Sequence, residues 1–362
     1  MKMKIWLDLR FIKDNLYSTF VIELVQTLIK QSSVSEFKDN SFVIYTNQTL
    51  DLFDSPNTTI KKIWIKNFSI KEQINFFKIL KKDSNNLVIF FNIYKPIFYV
   101  WTYFTIIPSL KEVYYSNFPN IFNKYTYLYL LEKNLKRSNK IICFDQNTNN
   151  ELVEKFNIHE NKIYFLKWFF PNSEKLNNLE DLKVNIKTKY NIKNDFFIYS
   201  GWEWVEKNYD KLIYLIDKLN KNWYNLDLVF LWDTIAKNIT LRNLILKLEI
   251  HTKIHFIWVI KPNEKILFYK NSKWVIFPSF YEPFPFRLTE PLYFNTQIIS
   301  SNLDNIKNIF WESINYFSPL SINSMYEETI KYLNEEKIIN YNDIKSNYTK
   351  ENTVNELLEI IK

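Results

Sequence analysis

Two glutamates stand eight residues apart in a short segment that follows an apolar run. Glu282 and Glu290 bound the segment Glu-Pro-Phe-Pro-Phe-Arg-Leu-Thr-Glu, and residues 274–279 before it read Trp-Val-Ile-Phe-Pro-Ser. The apolar run predicts a buried parallel strand, and the second glutamate falls where a helix could begin. A strand that leads into a helix places such a loop at the carboxyl edge of a sheet, where open α/β sheets bind phosphorylated ligands. We therefore expect two carboxylates at a ligand-binding edge.

A lysine forms the second candidate site. Residues 199–213 read Tyr-Ser-Gly-Trp-Glu-Trp-Val-Glu-Lys-Asn-Tyr-Asp-Lys-Leu-Ile and contain the chain's one glycine, Gly201. The pattern predicts a strand, a loop and a helix. A helix N-terminus favours anions, and Lys207 would add a mobile positive charge there. A solvated lysine at the start of a helix is the alternative interpretation of Lys207.

These two segments together resemble the signatures of the retaining GT-B glycosyltransferases, the family 4-like or group 1 type. The segment from Glu282 to Glu290 resembles the family's paired glutamates, and residues 199–213 resemble the glycine turn and Glu-Lys-Asn step that begin its second domain. The resemblance extends over residues 190–335. It implies an α/β fold of two Rossmann-like domains that face each other across a cleft.

The resemblance also implies roles for individual residues. Glu282 would be the catalytic residue that contacts and places the donor sugar, Glu290 would accept hydrogen bonds from the ribose hydroxyls, and Lys207 would bind the donor pyrophosphate. The implied donor is a UDP- or GDP-sugar, and no metal or other cofactor is implied, because cations and helix dipoles neutralise the leaving diphosphate. The predicted substrate-binding residues are Lys207, Glu290, Gly201, Phe284, Trp202, Trp6 and Arg10.

Several positions depart from the family pattern. Pro283 and Pro285 stand in the loop whose backbone N–H groups face the phosphate in relatives, and proline has no N–H. Trp202 occupies the place of a common arginine. Ile107 and Pro108 occupy the place of a His-Asp pair near the donor sugar and the acceptor. A degenerate, non-catalytic GT-B module that binds nucleotide sugars therefore stays open as an alternative.

Tryptophan and glycine have an unusual balance. The chain has 1 Gly and 11 Trp, although ordinary glycine usage of about 7% predicts about 25 glycines. Many tryptophans stand where related sequences have glycine, which tolerates positive φ and close backbone approach. We hypothesise that UGA codons of this gene mean glycine and were translated as tryptophan; a truly Trp-rich protein with a remodelled site is the alternative. The tryptophans at such places are Trp6, Trp101, Trp168, Trp202, Trp223, Trp232, Trp258 and Trp311.

Short apolar strands alternate with amphipathic stretches, which predicts parallel sheets. We expect an acceptor-side domain over 1–175, a nucleotide-sugar-binding domain over 185–338, and a C-terminal helical segment over 339–362 that packs back on the first domain. The predicted strands are 3–9, 41–47, 60–66, 86–92, 102–107, 140–145, 162–167, 195–199, 226–231, 253–257, 274–278, 296–300 and 314–317. The predicted helices include 118–138, 147–157, 322–334 and 343–361.

Composition limits the class of protein. The 362 residues are 47% hydrophobic and 24% charged, which suits a globular protein of two domains. The net charge of +8 fits nucleotide phosphates, an acidic lipid surface or nucleic acid. A single cysteine, Cys143, excludes a disulfide framework, and the three histidines lack ligand spacing, so we predict no metal site.

We therefore expect a retaining enzyme that transfers a hexose from a nucleotide diphosphate sugar to a glycan or lipid-linked acceptor. We expect it in the cytoplasm, and a peripheral location on the inner face of the cell membrane stays open. The basic segment 118–138 should pack as a helix with a solvated face, and a membrane contact through it is the alternative. A nucleic-acid-binding protein has no familiar motif in its favour, and a GT-B sugar-nucleotide epimerase is a further alternative.

Overall fold

The protein forms two compact units, each built on a parallel sheet. The structure is a computed structural model that describes residues 3–13, 15–48, 55–65, 69, 71–83, 86–92, 95–115, 121–171, 184–201, 204–231, 234–257, 262–334 and 340–362. The first unit comprises Met1–Pro171 and Tyr348–Lys362, and the second comprises Asn172–Asn347. Two parallel sheets with helices confirm the predicted α/β class of two Rossmann-like domains.

The sheet of the first unit has seven parallel strands in the order β3-β2-β1-β4-β5-β6-β7. The strand order reverses between β1 and β4, which makes this point the topological switch of the sheet. The central strands are almost wholly buried, as expected for a parallel sheet with helices on both faces. The strands are β1 (Lys4–Asp8), β2 (Ser41–Thr46), β3 (Thr58–Lys62), β4 (Leu87–Phe90), β5 (Tyr103–Ile106), β6 (Lys140–Cys143) and β7 (Ile163–Phe165).

Strand β3 begins two residues before the predicted strand 60–66. Its pairing with β2 runs from Phe42 opposite Thr58 to Thr46 opposite Lys62. The hydrogen-bonded register with β2 therefore sets the position of this strand, rather than its weak apolar pattern.

The helices of the first unit follow the strands of its sheet. Asn15 caps the first helix, because its side chain accepts a hydrogen bond from the Ser18 N–H. Asp145 caps the fifth in the same way through the Thr148 N–H. The helices are α1 (Leu16–Ser32), α2 (Phe77–Lys82, continuing a π-helical turn Glu72–Phe76), α3 (Lys111–Tyr115), α4 (Ile121–Arg137) and α5 (Gln146–Phe156).

The second unit repeats the plan with six parallel strands in the order β10-β9-β8-β11-β12-β13. The order reverses between β8 and β11, so the carboxyl ends of these two neighbours form the switch point. The strands are β8 (Asp195–Tyr199), β9 (Leu226–Phe230), β10 (Ile254–Phe256), β11 (Trp274–Phe277), β12 (Ile298–Ser301) and β13 (Asn315–Phe317). The helices are α6 (Ile186–Lys189), α7 (Lys211–Lys221), α8 (Ile239–Lys247), α9 (Pro262–Asn271), α10 (Thr289–Tyr293), α11 (Asp304–Phe310), α12 (Ile322–Asn334) and α13 (Asn342–Asn347).

The predicted helix 343–361 is two helices. Helix α13 ends in the second unit, and α14 (Lys350–Ile361) packs against α1 in the first. Thr349 separates them: its backbone is extended, and its side chain accepts a hydrogen bond from the Asn352 N–H as the N-cap of α14. A strong capping residue thus divided a segment whose apolar periodicity is nearly continuous. None of the helices in the described ranges combines the length and apolar character of a membrane-spanning segment.

Candidate functional site

Both predicted segments meet at the switch point of the second sheet. The glycine-containing loop follows β8, and the segment with the paired glutamates follows β11. Because these two strands are hydrogen-bonded neighbours, their carboxyl ends deliver both segments to one edge. The Phe280 N–H donates to the Glu206 carbonyl oxygen at 2.8 Å and joins the two segments directly.

Lys207 and Glu282 form a buried ion pair at this edge. The Lys207 ammonium donates to Glu282 Oε2, and the side chains are 8% and 10% exposed. Lys207 ends a 3-10 turn, Val205–Lys207, four residues before α7 begins. It is therefore not a solvated lysine at a helix start. Removing two charges from water costs about as much free energy as their attraction returns. The pair therefore fixes the positions of the two groups more than it stabilises the fold.

Asn208 holds Lys207 in place. Its backbone is left-handed, with φ of 52°, which asparagine tolerates better than most residues. Its side-chain amide donates to the carbonyl oxygens of Pro278 at 3.0 Å and Pro319 at 2.9 Å. The residue after Lys207 is thus tied to the segments that follow β11 and β13.

Glu290 is held by two donors from α9. Lys265 Nζ lies 2.7 Å from Glu290 Oε1, and the Tyr269 hydroxyl donates to Oε2 at 2.8 Å. Burial, and then the charge of Glu290, raise the pKa of Tyr269 well above its usual range, so the phenol stays a donor. Ser200, beside the glycine turn, hydrogen-bonds to the same phenol. Glu290 and the turn after β8 therefore belong to one network.

Arg287 adds a third cation to this edge. It lies on the 3-10 turn Phe286–Leu288, is half-buried, and its charge interacts with Glu282 and Glu290. Burial lowers the pKa of Arg287 from its ordinary value, but a guanidinium stays protonated at neutral pH. Through Arg287, both predicted glutamates belong to one electrostatic cluster.

Sequence reasoning missed three members of the cluster: Arg287, Lys265 and Tyr269. Arg287 could have been found, since it is a cation inside the segment that the paired glutamates define. Lys265 and Tyr269 reach Glu290 only by tertiary contact between α9 and α10, and no local pattern marks them.

Gly201 and Phe284 shape the turns around the cluster. A Cβ atom at Gly201 would overlap the Tyr199 phenol, so this position requires glycine for close approach. Phe284 is buried and stacks on Phe286 with 4.8 Å between ring centroids, so its ring packs the turn. Trp202, the remaining predicted residue of this edge, lies outside the described residues.

The structure corrects the prediction that Trp6 and Arg10 bind substrate. Trp6 lies inside β1, is fully buried, and stacks on Tyr45 at 5.1 Å between ring centroids. Arg10 is 1% exposed, and its guanidinium donates to Asp8 at 2.8 Å and Glu72 at 2.9 Å. Both belong to the first unit, where the strand interior and a buried ion cluster enclose them. Their motif reflects packing rather than contact with a ligand.

Backbone angles bear on the proposed recoding of tryptophan. Trp223 and Trp311 have φ of 70° and 46°, in the region that favours glycine, and they are 93% and 73% exposed. Trp168 is buried and packs on Phe170 with 4.8 Å between ring centroids. The backbone at Trp223 and Trp311 therefore fits glycine, as the hypothesis expects, whereas Trp168 has a packed ring. Trp232 and Trp258 lie outside the described residues.

Other side chains that could carry chemistry are either paired or buried. His255 Nε2 lies 3.0 Å from Asp227 Oδ2, and Cys143 is a buried free thiol. Within the described ranges, no group of three or more His, Cys, Asp or Glu side chains is arranged to hold a metal ion. Helix α4 buries Leu131 and Leu135 and leaves Tyr125 65% exposed, so it packs as an amphipathic helix.

Comparison with known proteins agrees with this geometry. Residues 183–351 match the family model of the group 1 glycosyl transferases. Almost all of the second unit thus matches a group 1 glycosyltransferase domain. The matched residues include Lys207, Glu282, Arg287 and Glu290 of the cluster.

Individual proteins also resemble the chain, one in sequence and two in structure. The O-antigen chain mannosyltransferase RfbU of Salmonella typhimurium is 21% identical over 249 residues, which span 67% of this chain and 65% of that relative. A glycosyltransferase from Rickettsia africae superimposes with a TM-score of 0.70 at 16% identity, over 99% of this chain and 97% of the other. HepE of Anabaena, in complex with UDP and glucose, gives a TM-score of 0.71 at 10% identity, over 99% of both chains. The predicted GT-B fold is thereby confirmed.

Proposed function

We propose that this protein is a glycosyltransferase that moves a hexose from a UDP- or GDP-sugar to a glycan or lipid-linked acceptor, with retention of anomeric configuration. The observation that carries the proposal is the cluster at the switch point of the group 1 domain, where Lys207 is paired with Glu282 and Glu290 is held within the same network. Cations beside acceptor-only carboxylates suit a ligand that has both phosphates and hydroxyls.

Three predicted residues, Lys207, Glu282 and Glu290, have roles that their surroundings support. Lys207, buried beside Glu282, would neutralise charge that develops on the leaving diphosphate, and a low-dielectric surrounding strengthens that interaction. Glu282 would accept hydrogen bonds from the donor sugar once phosphate competes for Lys207. Glu290, 27% exposed, keeps surface for ribose hydroxyls while Lys265 and Tyr269 hold its orientation.

The names of the relatives support the substrate class. RfbU is a mannosyltransferase of O-antigen chains, and HepE was solved with UDP and glucose. Both names include a hexose, and that of the HepE structure also includes a nucleoside diphosphate. We infer the same class of donor for this protein.

Donor binding and transfer test the proposal with point variants. Lys207→Ala should lower the transfer rate by about 10²–10³-fold, because it removes stabilisation of developing charge. Glu290→Ala should weaken nucleoside diphosphate binding by about 10-fold or more, since charge-assisted hydrogen bonds are lost. The measurements are thermal shift with UDP, GDP and ADP, nucleotide release from UDP- and GDP-hexoses, and NMR of the anomeric configuration.

Two surface variants serve as matched controls. Lys221 is 68% exposed on α7, and Glu327 is exposed on α12, so Lys221→Ala and Glu327→Ala should leave binding and turnover unchanged. If none of the three nucleoside diphosphates shifts the melting temperature of the wild-type protein, the proposal is wrong.

A non-catalytic module that binds nucleotide sugars is the second candidate. Ile107 is fully buried and packs in the core, so the place of the usual His-Asp pair offers no polar side chain there. Pro285 removes a backbone donor from the turn after β11. This candidate predicts nucleoside diphosphate binding that Lys207→Ala and Glu290→Ala weaken, with neither transfer nor hydrolysis of any donor.

A further inference from the structure

The turn after β11 lacks two backbone donors that could bind an anion. Pro283 and Pro285 lie between Glu282 and the 3-10 turn Phe286–Leu288, and neither has an N–H group. A diphosphate presents several oxygen acceptors, and protein sites satisfy these with N–H groups of the backbone or with cationic side chains. A cationic side chain beside this turn could supply donors in place of the two that are missing.

The two lysines of the cluster already have carboxylate partners. Lys207 is paired with Glu282, and Lys265 Nζ lies 2.6 Å from Glu290 Oε2. Glu206, one residue before Lys207, adds a further buried carboxylate to the same loop. The ammonium groups alone thus give an arriving diphosphate little excess positive charge.

Arg287 is placed to supply what the turn lacks. It follows Pro285 by two residues and is half-buried. Its charge interacts with both Glu282 and Glu290, so it lies beside the groups predicted to bind the sugar and the ribose. A guanidinium offers five N–H donors in a planar fork that matches two phosphate oxygens at once.

We propose that Arg287 is a donor-binding residue of the group 1 domain, which binds the diphosphate of the nucleotide sugar through paired N–H groups and acts beside Lys207. This inference rests on the proposed function and adds a second phosphate-binding cation to it. Binding of phosphate by Arg287 would also reduce its interaction with Glu282, which frees that carboxylate for the hydroxyls of the sugar.

The test compares nucleoside diphosphates with the matching nucleosides. Titration calorimetry would measure UDP, GDP and ADP, and then uridine, guanosine and adenosine, on wild type, Arg287→Gln and Arg287→Lys. Arg287→Gln should weaken nucleoside diphosphate binding by about 10- to 100-fold and leave nucleoside binding unchanged, because a charge-assisted pair of hydrogen bonds is lost only with the diphosphate. Arg287→Lys should restore part of the loss. Arg242, exposed on α8, gives the matched control Arg242→Gln, which should bind as wild type does.

Each contrary outcome has a distinct meaning. Wild-type protein that binds none of the three nucleoside diphosphates overturns the proposed function and this inference together. Wild-type binding that Arg287→Gln leaves unchanged overturns the role of Arg287 alone, as does an equal loss for nucleoside and diphosphate, which would indicate a structural role. If circular dichroism shows that Arg287→Gln is unfolded, Arg287→Lys decides instead. A severalfold fall in its ratio of diphosphate affinity to nucleoside affinity supports the role of Arg287, and an unchanged ratio overturns it.

Discussion

At the scale of single residues, a positive φ distinguishes Trp223 and Trp311 from the other tryptophans that the structure describes. Trp311 combines φ of 46° with ψ of −124°, where a Cβ atom is strained, and its side chain is mostly exposed. Trp223 is similar, with φ of 70°. A side chain that strains the backbone and packs little is a net cost to folding.

The first prediction is that glycine stabilises these two positions. Trp223→Gly and Trp311→Gly should each raise the free energy of unfolding of the second unit by about 1 kcal/mol, because relief of backbone strain exceeds the added entropy of the unfolded chain. Urea denaturation would measure the change. Trp64, 77% exposed without a positive φ, is the matched control, and Trp64→Gly should give no gain. Loss of stability in both variants, or UGG codons at both positions, would contradict recoding.

At the scale of elements, the segment over residues 204–210, which follows β8, is anchored by hydrogen bonds to other segments. Asn208 ties it to the segments that follow β11 and β13, and the Phe280 N–H closes it onto Glu206. These contacts hold the buried ammonium of Lys207 where the two strand ends meet. The segment therefore fixes the position of the Lys207 charge, and a charge stabilises a bound ligand only when it is correctly placed.

The second prediction concerns this support. Asn208→Ala should lower the free energy of unfolding by about 2–4 kcal/mol, because two buried carbonyl groups lose their donor and alanine tolerates the left-handed backbone poorly. Asn208→Gly, which tolerates the backbone, should lose only the hydrogen-bond part. Nucleoside diphosphate binding should weaken in both, since Lys207 is displaced. Chemical denaturation and titration calorimetry would measure these effects.

Asn191 provides the control for this prediction. It also has φ of 52°, but its side chain is exposed. Asn191→Ala should therefore show only the cost of the backbone, with binding unchanged. Equal losses of stability in Asn191→Ala and Asn208→Ala would show that the two buried hydrogen bonds contribute nothing.

At the scale of the whole molecule, the chain returns to its first unit at the end. After α13 in the second unit, residues Tyr348–Lys362 belong to the first, where α14 packs against α1. Val354, Leu357 and Leu358 of α14 are buried there. The last helix thus contributes to a core far from it in sequence.

The third prediction is that damage to α14 destabilises the first unit selectively. Leu357 is fully buried, so Leu357→Ala should cost about 2–5 kcal/mol through loss of burial and a residual cavity. Hydrogen exchange should accelerate in α1 and α14 but not in strands β8 and β9. Asn355, exposed on the same helix, gives the control Asn355→Ala, which should change stability by less than about 0.5 kcal/mol. Faster exchange confined to the second unit would refute the assignment.

Local pattern was enough to predict the strands, the α/β class and the two segments that carry the glutamates and the lysine. Apolar runs followed by amphipathic stretches depend on neighbours in sequence, and a parallel sheet necessarily brings strand ends to one edge. The fully buried positions of Trp6 and Arg10, and the capped break at Thr349, were not readable from the same patterns, because burial depends on what other segments cover.

Tertiary contacts between segments that are distant in sequence determine which residues of the site become partners. Lys207 and Glu282 are 75 residues apart in sequence, and Lys265 and Glu290 are 25 apart. Their contacts exist because β8 lies next to β11 and because α9 packs against α10, and neither arrangement leaves a local signal. The amino-acid order specifies which groups reach the sheet edge, while strand order and helix packing determine which charges meet there.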